Sequence, residues 1–222
     1  MVHTAAMTTA QDLIAHVEKC LDDAKHDVSP LPPGVLAMEG MTGRRTRHFY
    51  NGLCRQGRKI NYLEVGTWKG SSLIAAMYGN EANVSATVID NWSQFNGPRD
   101  EFLHKSRYLA PDCNLKLLDQ DCFGVTSLPP IDVYLYDGDH SYELQYKAMT
   151  HFAGFLRRPA IVVVDDWNWG SVRQGTLDGL RDVPGLKVEF STEIRHTADD
   201  THSPPDVAAA EFWNGIYVAV VA

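Results

Sequence analysis

The chain has 222 residues, 44% of them hydrophobic and 22% charged, which is an ordinary composition for one globular domain. Its formal net charge of −8 argues against a nucleic-acid-binding groove, because such grooves rely on clustered Lys and Arg. No apolar run reaches the roughly 18–20 residues that span a bilayer, which argues against a membrane protein.

The N-terminus and the cysteines indicate the cellular setting. Residues 1–10 lack the charged start and the apolar stretch of a signal peptide. The four cysteines are scattered without a C-x-x-C pair, so the sequence indicates neither a zinc site nor a disulfide framework. We therefore expect one domain over residues 1–222 in the reducing cytoplasm. The oligomeric state stays open, a homo-oligomer included.

The first part of the chain, residues 1–56, is predicted to form a helical cap. Thr8 or Thr9 can cap a first helix whose apolar residues recur at helical spacing. A proline-rich connector follows at residues 29–34. A second helix is predicted over about residues 43–55, where the sequence turns helix-like again.

The remainder, residues 57–222, alternates between strand-like and helix-like stretches. The predicted strands are residues 60–65, 84–89, 115–118, 133–136, 161–164, 186–190 and 215–221. The predicted helices between them are residues 72–78, 99–108, 142–155 and 172–180, and residues 195–205 are predicted as a long loop. Such alternation predicts a doubly wound α/β fold with a parallel sheet and right-handed crossovers.

In sheets of this kind, ligands bind at the carboxyl ends of the strands. The first strand runs through Glu64 into Gly66 and Gly70, which permit a tight turn and a close approach to a ligand. The spacing is G-x-x-x-G, which is neither the dinucleotide-binding G-x-G-x-x-G pattern nor a P-loop. Glu64 would oppose a pyrophosphate but suits a ligand with a positive charge or an amino group.

The next two strand ends also carry polar residues. Asp90 ends the second strand, where a carboxylate can accept both hydroxyls of a ribose. Asp121 lies in the segment 119–122 after the third strand, placed to meet the edge of an adenine, and Trp92 could stack on that base. Asp90 could instead cap a helix or a turn. Together, the three strand ends predict a nucleoside-bearing ligand.

Three carboxylates follow the fourth and fifth strands. Asp137 ends the fourth, and Asp165 and Asp166 end the fifth. Adjacent strands lie about 4.8 Å apart, so these side chains can converge, and their mutual repulsion would raise their pKa values unless a cation sits among them. Such hard oxygen ligands suit Mg²⁺, Ca²⁺ or Mn²⁺. The alternative is that they cap loops without a metal.

His140 lies three residues beyond Asp137. A histidine has an ordinary pKa of about 6.5 and can accept a proton from a hydroxyl near neutral pH. The alternative is that His140 caps the following helix or simply packs. Aromatic side chains after the same strand ends could wall a pocket or belong to the core, namely Trp92, Phe95, Tyr142, Trp167 and Trp169.

Residues 63–72, Asp90 and the Asp-Gly-Asp-His sequence at residues 137–140 resemble the class I methyltransferases that depend on S-adenosylmethionine (SAM). The pattern is similar in particular to the cation-dependent O-methyltransferases of the catechol and caffeoyl-CoA type and to related small bacterial enzymes. The resemblance covers about residues 41–166. It implies seven strands with the last antiparallel, SAM across the first and second strand ends, and methyl transfer to a hydroxyl oxygen of a small acceptor.

The resemblance also implies residue roles around the cofactor. Met41 falls where the family contacts the methionine part of SAM, and Trp68 where an aromatic residue lies beside it. Ser72 falls where a hydroxyl meets the SAM carboxylate, and Gln120 fits the adenine side. The complete predicted cofactor-binding set is Met41, Glu64, Gly66, Trp68, Gly70, Ser72, Asp90, Trp92, Gln120, Asp121 and Asp137.

On the catalytic face, the resemblance implies that Asp137, Asp165 and Asp166 are the ligands of a divalent cation, Mg²⁺ first with Ca²⁺ and Mn²⁺ as alternatives. The third ligand in that family is commonly Asn, so Asp166 departs from the pattern, and Asp166→Asn is expected to be tolerated better than Asp165→Ala. His140 stands where the catechol-type enzymes have a lysine. His140 and Asp137 are therefore the predicted catalytic residues.

Other functions remain open at the level of sequence. A methyltransferase without a metal could use His140 alone as the base, and a noncatalytic nucleoside-binding or scaffold protein could have the same fold. A nicotinamide oxidoreductase is disfavoured by the missing central glycine. The acceptor is undetermined among catechols, phenylpropanoids, sugars and antibiotic-like molecules, because fold alone does not select one.

Overall fold

The computed structural model describes residues 9–111, 113–198 and 200–222. A seven-stranded sheet with the order β3-β2-β1-β4-β5-β7-β6 forms its centre. The strands are β1 (Ile60–Val65), β2 (Val84–Asp90), β3 (Asn114–Asp119), β4 (Ile131–Tyr136), β5 (Leu156–Asp165), β6 (Val188–Ile194) and β7 (Ile216–Val221). Strand β7 is antiparallel to both of its neighbours, and the other pairs are parallel. The predicted doubly wound fold with an antiparallel last strand is confirmed.

Eight α-helices are found among the described residues. They are α1 (Ala10–Lys25), α2 (Pro33–Leu36), α3 (Arg44–Leu53), α4 (Ser71–Met77), α5 (Arg99–Lys105), α6 (Tyr142–Phe152), α7 (Gly170–Asp182) and α8 (Pro205–Ala210). Thr9 caps α1 in a capping box with Asp12, whereas Thr8 lies outside the described residues. None of the described helices is long and apolar enough to cross a membrane.

Both faces of the sheet are covered by helices. Helices α1, α3 and α4 pack with one face, and α6 and α7 with the other. Strand β5 shows the consequence, because Ile161 and Val163 enter one core while Val162 and Val164 enter the other. An apolar run of this kind is typical of a central strand buried on both sides. The predicted N-terminal helices thus form part of one layer of the core.

Arg45 and Arg47, near the start of α3, form contacts within the protein that stabilise the fold. Arg47 is buried, and its guanidinium donates hydrogen bonds to the carbonyl oxygens of Val35, Met38 and Thr42. Burial lowers the pKa of Arg47 to about 10. The Nη1 atom of Arg45 donates to both carboxylate oxygens of Glu211 at 2.6 Å. These contacts join α3 to the segment before it and to the chain after α8.

Several predicted boundaries are wrong for identifiable reasons. Strand β6 covers Val188–Ile194 and not residues 186–190, because Leu186 lies in a turn in which its N–H donates to Val183. The second half of this edge strand is polar and partly exposed, so it lacks an apolar signal. Helix α8 was not predicted, and the predicted helices 99–108 and 142–155 each end in a 3-10 turn.

Candidate active site

A cavity of about 720 Å³ opens at the carboxyl ends of the parallel strands. This volume lies within the usual range for small-molecule sites, roughly 300–1,000 Å³. Most of the predicted site residues line it, namely Met41, Gly66, Trp68, Asp90, Trp92, Gln120, Asp121, Asp137, His140, Asp165 and Asp166. The fold therefore brings residues from five separate strand ends to one cavity.

Three predicted cofactor residues, Glu64, Gly70 and Ser72, do not line this cavity. Glu64 is fully buried, and its carboxylate accepts hydrogen bonds from the hydroxyls of Tyr62 at 2.6 Å and Ser72 at 2.8 Å. Burial raises the pKa of Glu64, although hydrogen bonds from Tyr62, Thr67 and Ser72 oppose the shift. These three residues lie behind the cavity wall, and their contact with a cofactor stays a prediction.

Gly70 has a structural function at the start of α4. It adopts a left-handed conformation with φ of +79°, which glycine adopts without the penalty that a side chain incurs. A Cβ atom at this position would lie 2.8 Å from the ring of Phe102 and not in the cavity. A side chain at residue 70 would therefore crowd Phe102.

Gly66 permits the close approach of two strand ends. Its φ is +82°, and a Cβ atom there would lie 1.9 Å from the carbonyl oxygen of Asp137. The N–H of Asp137 donates to the carbonyl of Val65 at 2.9 Å. The position of Asp137 beside β1 thus depends on the absence of a side chain at residue 66.

Asp90 connects two loops of the cavity wall. Its Oδ2 accepts the N–H of Trp68 at 2.9 Å, and its Oδ1 accepts the N–H of Trp92 at 2.8 Å. Each carboxylate oxygen has a further lone pair, so Asp90 retains the capacity to accept hydrogen bonds from a ligand. The carboxylate both shapes the wall and faces the cavity.

Bulky residues in the left-handed conformation are concentrated in this wall. Trp68, Trp92, Phe95, Asp166 and Trp213 have φ between 44° and 56°, and all five line the cavity. Left-handed backbone is strained for large side chains, and such strain is typical of functional sites. The indole Nε1 atoms of Trp68 and Trp92 are buried without a hydrogen-bond partner among the described residues, so a ligand could supply acceptors.

The catalytic end of the cavity contains the predicted carboxylates. One oxygen or nitrogen from each of Asp137, His140 and Asp166 lies within 4.8 Å of the others. Asp165 falls outside this group, is 5% exposed, and has an Oδ1 atom without a hydrogen-bond partner among the described residues. The structure thus places Asp137 and Asp166 together with His140. Asp165 is next to Asp166 in sequence but lies outside this group.

The electrostatics of these groups follow from burial and crowding. Burial raises the pKa of Asp137 well above its ordinary value, and the charges of Asp165 and Asp166 raise it further. Burial also raises the pKa of Asp165, followed by the charge of Asp166. Carboxylates that resist ionisation in this way are the expected consequence of like charges gathered in a poorly solvated place.

His140 is paired with Asp166. Its Nε2 lies 2.7 Å from Asp166 Oδ2 and 3.9 Å from Asp137 Oδ1. Burial lowers the pKa of His140, but its contact with Asp166 and the charges of Asp166 and Asp139 outweigh burial, so the pKa is raised above 6.5. An imidazole beside a carboxylate is a suitable proton acceptor.

The predicted aromatic wall is correct only in part. Trp92, Phe95 and Trp169 line the cavity. Trp167 does not, because it is fully buried, stacks on Tyr217 at 4.4 Å and donates its Nε1–H to Glu193. Tyr142 is also outside the wall, exposed at the start of α6.

Sequence reasoning missed the part of the wall that follows β6 in the chain. His202, Trp213 and Asn214 come from the connection between β6 and β7. They follow no strand end of the parallel sheet, so the rule that located the other residues gives no signal here. The polar composition of the connection, which includes two His residues and three Asp residues, was the only indication.

Comparison with known proteins agrees with this architecture. Residues 63–167 match a family model described as a methyltransferase domain. No curated protein matches the chain. This match covers just under half of the chain, and the chain has the Rossmann-like methyltransferase fold that the resemblance in its motifs implies.

Solved structures share the fold at low sequence identity. A candidate caffeoyl-CoA O-methyltransferase from Staphylococcus aureus has a TM-score of 0.61 and 12% identity, over 94% of this chain and 100% of that chain. The O-methyltransferase from Bacillus cereus in complex with SAH has a TM-score of 0.56 and 15% identity, over 100% and 94%. The O-methyltransferase TomG from Streptomyces achromogenes, in complex with SAM, has a TM-score of 0.53 and 15% identity, over 93% and 89%.

Proposed function

We propose that the chain is a SAM-dependent methyltransferase that transfers a methyl group to a hydroxyl oxygen of a small-molecule acceptor with the help of a divalent cation. The observation that supports this most is one cavity that joins Asp90, at the nucleoside-binding strand end, to Asp137, Asp166 and His140 at the next strand ends. Solved neighbours described as O-methyltransferases support the same reaction class.

The cofactor would lie across the ends of β1 and β2. Asp90 would accept the ribose hydroxyls with its remaining lone pairs, and Gln120 and Asp121 would face the adenine. The buried indole N–H groups of Trp68 and Trp92 offer donors. The neighbours from Bacillus cereus and Streptomyces achromogenes contain SAH and SAM, which supports this placement.

The residues at the catalytic end fit a divalent cation. Asp165 has a buried oxygen without a partner among the described residues, and the pKa values of Asp137 and Asp165 are raised by burial and by neighbouring negative charge. A hard cation would relieve both. Asp137, Asp165 and Asp166 would hold it, with Asp165 turning towards the group that Asp137 and Asp166 already form.

The protein mainly orients the reactants and excludes water. Bound SAM supplies an electrophilic methyl group, and a bound divalent cation lowers the pKa of an acceptor hydroxyl. Trp169 and Trp213 wall the space beside His140 and would orient the acceptor. The Nδ1 atom of His140 would take the hydroxyl proton, because Nε2 faces Asp166, and Asp166 would stabilise the resulting imidazolium. Alignment of oxygen and methyl would supply much of the acceleration.

A second candidate is the same methyl transfer without a cation, with His140 as the base. The contact of 2.7 Å between His140 Nε2 and Asp166 Oδ2 supports it, because a carboxylate that orients an imidazole makes a competent base without a metal. Removal of divalent cations separates the two candidates.

A screen of hydroxylated acceptors with isotope-labelled SAM, with and without Mg²⁺, tests the proposed function. We expect turnover that needs the cation and is lost in Asp165→Ala, while SAH binding survives in that variant. Asp119→Ala is the control, because Asp119 also ends a parallel strand, β3, but does not line the cavity. Full activity after EDTA treatment would exclude the cation and leave His140 as sole base.

A further inference from the structure

Each carboxylate oxygen of Asp166 has its own contact. Asp166 adopts a left-handed backbone conformation with φ of 56°, and its two carboxylate oxygens have different partners. Oδ2 lies 2.7 Å from Nε2 of His140, on the side of Asp137. Oδ1 accepts a hydrogen bond of 2.7 Å from Nδ2 of Asn214. Only one oxygen of Asp166, Oδ2, therefore faces Asp137 and His140.

The orientation of the Asn214 amide is determined by its surroundings. Asn214 is 3% exposed, and its Oδ1 accepts the backbone N–H of Ser203 at 2.9 Å. Its backbone carbonyl accepts the N–H of Asn168 at 2.8 Å. A flipped amide would set its NH₂ group against the Ser203 N–H and its oxygen against the oxygen of Asp166. The NH₂ group must therefore face residue 166.

We propose that Asn214 positions the carboxylate of Asp166 beside Asp137 and His140, and that Asn214 is the reason that residue 166 is a carboxylate. This inference rests on the proposed cation-assisted function. A donor at Asn214 requires an acceptor from residue 166, and the catalytic side requires a second acceptor. Aspartate offers acceptors on both sides, whereas asparagine offers one acceptor and one donor.

The consequence reverses the expectation that the family resemblance gives for Asp166→Asn. With Asn214 in place, the carbonyl oxygen of the new amide would accept the Asn214 N–H, and the NH₂ group of that amide would point to the catalytic side. An NH₂ group is a donor and does not ligate a cation. Asp166→Asn is therefore expected to be poorly tolerated in this chain because of its neighbour.

The test is a set of Mn²⁺ affinities measured by electron paramagnetic resonance at saturating SAH. Supporting groups around a metal ligand typically contribute 10–100-fold to metal affinity. We expect Asn214→Ala to weaken Mn²⁺ binding by about 10-fold or more and Asp166→Asn to weaken it likewise. In the double variant Asp166→Asn/Asn214→Ala the amide is free to turn, so affinity should rise above that of Asp166→Asn alone.

Ser203→Ala is the matched control. It removes the hydroxyl that accepts from Asn168 at 3.1 Å but keeps the backbone N–H that orients Asn214, so Mn²⁺ affinity should stay as in the unmodified chain. The exchange Asp166→Asn/Asn214→Asp retains a hydrogen bond of reversed polarity and serves if Asn214→Ala does not fold. It should also bind Mn²⁺ more tightly than Asp166→Asn.

The outcome depends on whether Asn214→Ala lowers or raises the Mn²⁺ affinity in the unmodified chain and in Asp166→Asn. A loss of affinity in the unmodified background and a gain in the Asp166→Asn background support the positioning function. An equal loss in both backgrounds, or no effect in either, overturns it and leaves the proposed function standing. If the unmodified chain binds no Mn²⁺ while it binds SAH, the cation-assisted function and this inference both fail.

Discussion

At the scale of single residues, the carboxylate of Asp165 is buried and lies close to other negatively charged side chains. Its carboxylate is 5% exposed, and burial, then the charge of Asp166, then that of Glu64 raise its pKa, against a backbone hydrogen bond that lowers it. A carboxylate with a raised pKa in the folded state contributes stability at low pH, and loses it as the pH rises through the folded pKa. Without a cation, ionised Asp165 therefore destabilises the protein at neutral pH.

Asp165→Asn should accordingly stabilise the protein in EDTA, and its advantage should grow with pH. We expect little difference from the unmodified chain near about pH 4 and a higher Tm for the variant near about pH 8. Thermal unfolding across this range measures it. A difference that is constant with pH, or a less stable variant at neutral pH, would contradict the assignment of Asp165 as a buried acid with a raised pKa.

Asp90→Ala should weaken SAH binding by about 1–3 kcal/mol, the usual effect of losing a buried hydrogen-bonding partner. The variant also releases the backbone N–H groups of Trp68 and Trp92, so both wall loops should loosen. Isothermal titration calorimetry measures the affinity, with Asp119→Ala as the control at the neighbouring strand end. Unchanged affinity in Asp90→Ala would remove Asp90 from the cofactor site.

Residues that end a parallel strand could be predicted from sequence, and the others could not. Asp90, Asp137 and Asp166 follow apolar strands, so the topology alone places them at one edge. Asn214 precedes the antiparallel β7, and its contact with Asp166 spans 48 positions of sequence. Glu64 satisfied the same strand-end rule but faces inward to Tyr62 and Ser72, because the rule gives the edge and not the side-chain direction.

At the scale of elements, the turn from β1 into α4 depends on two glycines with different neighbours. Gly66 faces the backbone directly after β4, and Gly70 faces a side chain of α5. Backbone atoms cannot move aside without breaking the β1–β4 pairing, whereas the ring of Phe102 can shift. The two positions should therefore differ in their tolerance of a side chain.

Gly66→Ala should destabilise the fold and abolish SAH binding, because its Cβ would collide with the carbonyl oxygen of Asp137 at 1.9 Å. The left-handed backbone alone costs roughly 1–2 kcal/mol for alanine. Thermal unfolding and calorimetry measure both effects. Gly154→Ala is the control, since nothing lies within 4 Å of its added Cβ. A Gly66→Ala variant that binds SAH normally would show that β1 and β4 do not need this approach.

The accuracy of the predicted element boundaries depended on how deeply each element is buried. Strand β5 is apolar on both faces and was located from its sequence, although the structure extends it to Leu156. Strand β6 lies at the sheet edge and alternates between exposed and partly buried residues, so a search for apolar runs placed it too early. Helix α8 has only six residues and starts within a segment whose prolines favoured a loop.

At the scale of the whole molecule, the cavity joins two functions that the sequence assigned to separate strand ends. The nucleoside side includes Asp90 and Gln120, and the catalytic side includes Asp137 and His140, within one space of about 720 Å³. A ligand that binds only the folded chain must stabilise it, by about 2.7 kcal/mol at a concentration of 100 Kd. Cofactor binding should thus raise the Tm of the entire domain.

Calorimetric titration of SAM and SAH into the unmodified chain tests the central claim most directly. We expect one binding site per chain, with an affinity that falls in Asp90→Ala and persists in Asp119→Ala, together with a rise in Tm on saturation. A chain that is folded by circular dichroism but shows neither heat of binding nor a change in Tm with either ligand would contradict the claim that this cavity is a SAM site.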